Sequence, residues 1–170
     1  LDSLGGKFAG AVYYPESSSM ICYSSKDSTS VRNICFTELK DTLWTAPALI
    51  GGASFSASDE VYPMLSEDGK TLYFSSNGLY GVGGYDIYVS KWDDDNGTWS
   101  APMNMGFPYS SPADDFLYTS SADGGHAVFA SNRGCSSDSV WVYVLKHQDV
   151  PVRKAVDNIE ELQKIAELVP

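Results

Sequence analysis

The chain has 170 residues, enough for one domain with a real core. It carries 22 Asp and Glu against 11 Lys and Arg, a net charge of −11 that argues against nucleic acid and anionic membrane surfaces, since both want cations. No run of 18 apolar residues is present, so no membrane span is expected. The acidity has two readings: a solubility charge, or a docking face for a basic partner. There is no signal-peptide pattern and the first residue is not Met, so a processed or excised piece, or a chain whose start was trimmed, is expected.

Taken in chain order, the elements repeat. Tyr23-Ser24-Ser25-Lys26 is followed by Asn33-Ile34-Cys35, Trp44-Thr45-Ala46-Pro47 and Gly51. The same markers return as Phe74-Ser75-Ser76-Asn77, Asp86-Ile87-Tyr88, Trp99-Ser100-Ala101-Pro102 and Gly106, at offsets of 51 to 55. Phe129-Ala130-Ser131-Asn132 and Ser139-Val140-Trp141 make a third copy, which lacks Trp-x-x-Pro and leaves at Val150-Pro151. The acidic pair Asp59-Glu60 recurs as Asp114-Asp115, again at 55. Fixed-period self-similarity of this kind is the signature of a repeat architecture.

The second copy shows the strands best. Val61 to Leu65 is strand-like, and Ser66-Glu67-Asp68-Gly69-Lys70 is a turn carrying the Asp-Gly hairpin signal. Thr71 to Ser75 alternates, with Leu72 and Phe74 on one face and Tyr73 on the other. A Gly-rich loop runs from Asn77 to Gly84, then Asp86 to Trp92 makes a third strand. Asp93-Asp94-Asp95-Asn96-Gly97 turns, with Asn96-Gly97 suited to a type I′ turn, into a fourth strand from Thr98 to Met103. Pro102, late in that strand, suits a sheet edge. Four antiparallel strands ending on an edge strand are a propeller blade. The tail changes character: a capping-box pattern at Asp157 to Glu160 and an apolar stripe through Val156, Ile159, Leu162, Ile165, Ala166 and Val169 predict a short amphipathic helix over 153–168.

These copies resemble the TolB-type, WD-like β-propeller repeat. The second matches its pattern at Asp59, Glu60, Ser66, Asp68, Gly69, Lys70, Leu72, Tyr73, Phe74, Ser76, Gly83, Gly84, Asp86, Ile87, Tyr88, Trp99 and Pro102. The first and third depart from it, with Asn33-Ile34-Cys35 and Ser139-Val140-Trp141 in place of Asp-Ile-Tyr. The resemblance implies an all-β chain of three four-stranded antiparallel blades over residues 1–150 (about 9–51, 59–107 and 114–146), to which the tail pattern adds a linker and amphipathic helix over 151–170. It also implies a non-enzymatic binding module of the bacterial envelope, periplasmic or associated with the outer membrane. Its partner would be an envelope protein or peptidoglycan. The rival reading is a carbohydrate-binding or glycoside-processing propeller with rim carboxylates.

Closed propellers have four to eight blades, so three are too few. Three ways out stand: a fragment of a longer propeller, a homodimer completing a six-bladed ring, or capping of the open faces by the terminal segments.

The chemistry-bearing residues are few. His126 and His147 have no Cys or His at metal-ligand spacing and read as structural or solvent-facing. No Gly-x-Ser-x-Gly elbow is present, and nothing points to a catalytic triad. Asp93 to Gly97 fails as a calcium loop, because Trp92 falls where a ligand is needed. Ser66 to Thr71 has the wrong spacing for a sialidase Asp-box. The Gly-rich loop opens no helix and so is no phosphate cradle. No catalytic residue, cofactor or metal site is therefore assigned. The candidates for a binding rim are Asp59, Glu60, Asp114 and Asp115, with Tyr80 and Tyr85 as aromatic contacts. The carboxylates either bind a cation or basic peptide, or cap turns by accepting backbone N–H groups. Cys22 and Cys35 fall on consecutive strands, where a disulfide competes with two buried free thiols; Cys135 lies in a loop.

Overall fold

The computed structural model describes residues 12–13, 19–51, 55–121, 123–136 and 138–146. The described residues are all-β, in three antiparallel sheets with no helix. Sheet I runs β1 (Val12–Tyr13), β2 (Met20–Lys26), β3 (Arg32–Lys40) and β4 (Leu43–Trp44), with β5 (Ala48–Leu49) also pairing β3. Sheet II runs β6 (Glu60–Leu65), β7 (Thr71–Ser76), β8 (Asp86–Asp93) and β10 (Met103–Asn104), with β9 (Thr98–Trp99) also on β8. Sheet III has three strands, β11 (Asp115–Ser120), β12 (His126–Ser131) and β13 (Trp141–Lys146). The helix expected over 153–168 and His147 lie outside the described residues.

Each sheet falls inside one copy of the repeat, and the alternation explains the stacking. On β7, Leu72 and Phe74 face sheet I, while Tyr73 faces sheet III. On β8, Tyr88 and Ile87 divide the same way, and on β6 Leu65 and Met64 do. A strand buried on both faces reads this way because successive side chains point to opposite sides. The seam between sheets I and II is built on Cys22, Ile34, Leu65, Leu72, Phe74 and Tyr88. The seam between II and III is built on Met64, Ile87, Tyr118, Ala127, Phe129 and Tyr143. Phe129 stacks on Tyr143 at 5.3 Å and Phe74 on Tyr88 at 5.9 Å, and each fully buried side chain of this size contributes about 1.5–3 kcal/mol.

The outermost strand differs from the expected continuous Thr98 to Met103. It is broken into β9 and β10 around Ser100-Ala101-Pro102, because Pro102 has no N–H for the ladder. Sheet I breaks identically at Thr45-Ala46-Pro47. A hydroxyl fills the gap in both. Thr45 Oγ1 accepts from the Glu38 N–H at 3.0 Å and Ser100 Oγ from the Lys91 N–H at 3.0 Å. Thr37 and Ser90 hydroxyls donate to the carbonyls of Thr45 and Ser100, each at 2.7 Å. The Trp-x-x-Pro marker is thus a kinked edge with a side-chain splint.

Two turn and cysteine expectations resolve. Asn96-Gly97 is not a type I′ turn, since only Gly97 has positive φ (62°). Asp93 holds a four-residue loop by accepting from the N–H groups of Asp95, Asn96 and Gly97. Cys22 lies opposite Phe36 and Cys35 opposite Tyr23, so the two thiols point to opposite faces of sheet I and are free.

Candidate functional site

The acidic pairs sit where β6 and β11 begin, and both are built into the seams. Asp59 reaches back to sheet I: Oδ1 accepts from the Arg32 N–H at 2.8 Å, and Oδ2 accepts from Arg32 Nη1 at 2.9 Å and the Tyr85 hydroxyl at 3.1 Å. Asp114 repeats the device one sheet later, its Oδ1 accepting from the Tyr85 N–H at 2.9 Å. Arg32 and Tyr85 hold equivalent places, each one residue before the Asn33 or Asp86 marker. The Asp59 and Asp114 N–H groups donate to the side-chain oxygens of Asn77 and Asn132 at 3.0 and 2.8 Å. Each acid therefore ties its own sheet to the preceding one.

Gly83 and Gly84 make the second tie feasible. A Cβ on Gly84 would collide with the Asp114 carboxylate, and one on Gly83 with the Ala113 carbonyl. The Gly-rich loop thus serves close approach of sheets. Its Tyr80 is 96% exposed.

The second acid of each pair is buried. Glu60 Oε1 accepts from the Ser56 N–H at 2.5 Å, and Asp115 Oδ2 accepts from the Ser111 N–H and hydroxyl at 2.6 and 2.8 Å. Asp115 is also paired with Arg133, whose guanidinium donates to the Pro108 carbonyl and Ser131 hydroxyl and stacks 5.3 Å from the Phe129 ring centre. Among the described residues Glu60 has no such cation, and its Oε2 has no hydrogen-bond partner. Burial raises its pKa, and the N–H groups around it soften that shift without reversing it.

Above these ties opens a bowl of about 530 Å³, lined by Ser24, Arg32, Val61, Tyr62, Tyr85, Asp114 and Phe116. Backbone irregularity aims its walls. β6 is bulged between Val61 and Met64, and β11 at the equivalent place between Phe116 and Thr119. Tyr62 and Leu117, in matching positions, have φ of 54° and 58°, a region that side chains larger than glycine rarely adopt. Such strain costs of order 1–3 kcal/mol per residue and concentrates at functional sites. A bulge re-aims the side chains beside it. Here the Tyr62 and Phe116 rings, one on each bulged strand, stack at 5.7 Å.

Of the sequence candidates, the bowl gathers Asp114 and Tyr85, with Asp59 bonded to its Tyr85 and Arg32 walls. Glu60 and Asp115 lie beneath, fully buried. Tyr85 stays protonated: burial first, then its hydrogen bond to Asp59, pushes its pKa to about 12. In Asp59, burial opposes ionisation, but hydrogen bonds from the Arg32 N–H, Tyr85 and the guanidinium outweigh it and lower the pKa. Sequence reasoning missed Arg32, Tyr62, Phe116 and Arg133. The repeat register offered one signal, since Arg32 stands where Tyr85 stands one copy later.

No family model matches the sequence, and no curated protein matches it. Among solved structures, an alpha-L-arabinofuranosidase from Lactobacillus brevis is similar at 13% identity and a TM-score of 0.45. The match covers 85% of this chain and 56% of that one, so this chain spans little more than half that enzyme's length.

Proposed function

We propose that the three sheets are successive β-propeller blades and that the chain is a non-enzymatic binding module, taking its ligand in the bowl between Arg32, Tyr62, Tyr85 and Phe116. One observation carries this reading: the rim carboxylates are consumed in holding the sheets together. Asp59 and Asp114 accept hydrogen bonds from the preceding sheet, Asp115 is neutralised by Arg133, and Glu60 is sealed from solvent. A glycosidase needs one free acid and one free base or nucleophile flanking a bond. What the bowl offers instead is aromatic surface and a guanidinium, which serve recognition.

The blade reading is supported by the chain-order meander of each sheet and by the kinked outer strand of sheets I and II. The resemblance to the TolB-type repeat supports an envelope setting, periplasmic or associated with the outer membrane, with an envelope protein or peptidoglycan as ligand. The outer face of sheet III, with Val142 and Val144 66% and 63% exposed, is where a further blade would stack, from a longer chain or a second copy. Sedimentation separates these: a homodimeric six-bladed ring has twice the 18.4 kDa chain mass.

The function is tested by titrating the protein with soluble peptidoglycan fragments and with envelope-protein extracts, beside a hydrolysis assay on the same glycans. Binding without turnover, weakened about tenfold or more by Phe116→Ala or Arg32→Ala, is expected. Turnover abolished by Asp114→Asn would replace this reading with the glycoside-processing one.

A further inference from the structure

A second cavity, of about 340 Å³, opens in the seam between sheets I and II at the end of the strands away from the bowl. Its floor is apolar, from Phe36, Ile50, Trp92 and Trp99. The two indoles are opposed across the β8–β9 ladder, with ring centres 5.5 Å apart and planes at 69°. Its mouth carries three carboxylates from three separate segments: Glu38 of β3, Asp68 of the β6–β7 turn and Asp94 of the β8–β9 turn. One lining cation opposes them, Lys70, held by Asp94 at 2.6 Å. Lys40 reaches Glu38 at 3.3 Å from an exposed position, where such pairs are weak. Asp68 uses only Oδ1 within its turn, for Ser66 and the Lys70 N–H.

We propose that this cavity is a docking site for an arginine or lysine side chain on a basic segment of a partner protein. Indole faces and carboxylates both attract a cation, and neither attracts an anion. An apolar floor under an acidic mouth matches a side chain whose hydrocarbon stem is buried while its charged head stays at the rim. A divalent metal is a poorer fit, because no three acidic, His or Cys groups among the described residues are gathered to hold one. The charge of −11 on the whole chain steers a basic segment toward any such mouth.

The test is a titration of the whole chain with a short amidated peptide alternating glycine and arginine, and with its glutamate counterpart, followed by calorimetry and by the four tryptophan indole N–H signals. The arginine peptide is expected to move the Trp92 and Trp99 signals and leave Trp44 and Trp141 in place. The double variant Glu38→Gln with Asp68→Asn is expected to weaken binding about tenfold. Lys70→Met removes the competing ammonium and is expected to tighten it severalfold, a gain that misfolding does not produce. Absent binding, equal binding of the glutamate peptide, shifts confined to other tryptophans, or indifference to both variants would each overturn the proposal.

Discussion

At the seam between sheets II and III, a buried Asp115 meets Arg133; at the seam between I and II, a buried Glu60 leaves Oε2 without a partner among the described residues. The two acids begin equivalent strands and accept from equivalent serines, Ser111 and Ser56. The difference arises at the residue after the Asn77 or Asn132 marker. Arg133 stands there in one copy and Gly78 in the other. A Cβ on Gly78 would lie 2.5 Å from the Ser58 Cβ and 2.6 Å from the Ser56 hydroxyl, so no arginine fits. Repetition thus conserves the backbone device while each seam settles its buried charge separately.

The largest expected effect breaks the paired seam. Arg133→Met leaves Asp115 buried without a cation and should cost about 3–5 kcal/mol, read from urea unfolding. Adding Asp115→Asn should recover part of that loss; no recovery would mean that Arg133 acts through its packing on Phe129. Next comes the approach of the sheets. Gly84→Ala should cost about 1–3 kcal/mol by forcing Asp114 off the Tyr85 N–H.

The unpaired seam sharpens the comparison in the other direction. Glu60→Gln keeps the shape, removes the buried charge, and should raise stability near neutral pH by about 1 kcal/mol. The folded pKa of Glu60 is raised above its ordinary 4.5, so its contribution is full below that pH and lost as pH climbs through the raised value. The variant should therefore lack this loss. Asp59 works oppositely: its lowered pKa gives stability above its ordinary 3.8 that disappears on further acidification. Unfolding curves of wild type and variant across this range isolate the Glu60 part, and parallel pH profiles would refute it. The smallest effect is expected at the splints, where Thr45→Ala or Ser100→Ala should each cost about 1 kcal/mol by thermal melting, since each removes one hydroxyl bridge.

What was legible in the sequence is what local pattern dictates. The Leu72, Tyr73, Phe74 alternation placed both faces of β7, and Trp-x-x-Pro marked the outer edge. The bowl was only half legible. Tyr85 and the acidic pairs stood out because they recur or sit in a conspicuous loop. Tyr62 and Phe116 did not, because a bulge shifts register without changing residue type. Arg133 carries no marker of the repeat, and its partner lies 18 positions earlier across a hairpin. The Asn96-Gly97 turn misled for the opposite reason: a strong dipeptide signal yielded to the Asp93 side chain, which organises a longer loop.

Among the described residues, sheet II is held by two seams, while sheets I and III are each held by one. Such a stack behaves as a short one-dimensional array with nearest-neighbour coupling. Its ends open at lower free energy than its middle, so amide hydrogens of β7 and β8 should exchange last and those of β13 early. The bowl spans all three sheets, since Arg32, Tyr85 and Phe116 come from one each. An occupant touching all three would couple the ends to the middle, and slowed exchange at β13 would report its arrival from a distance.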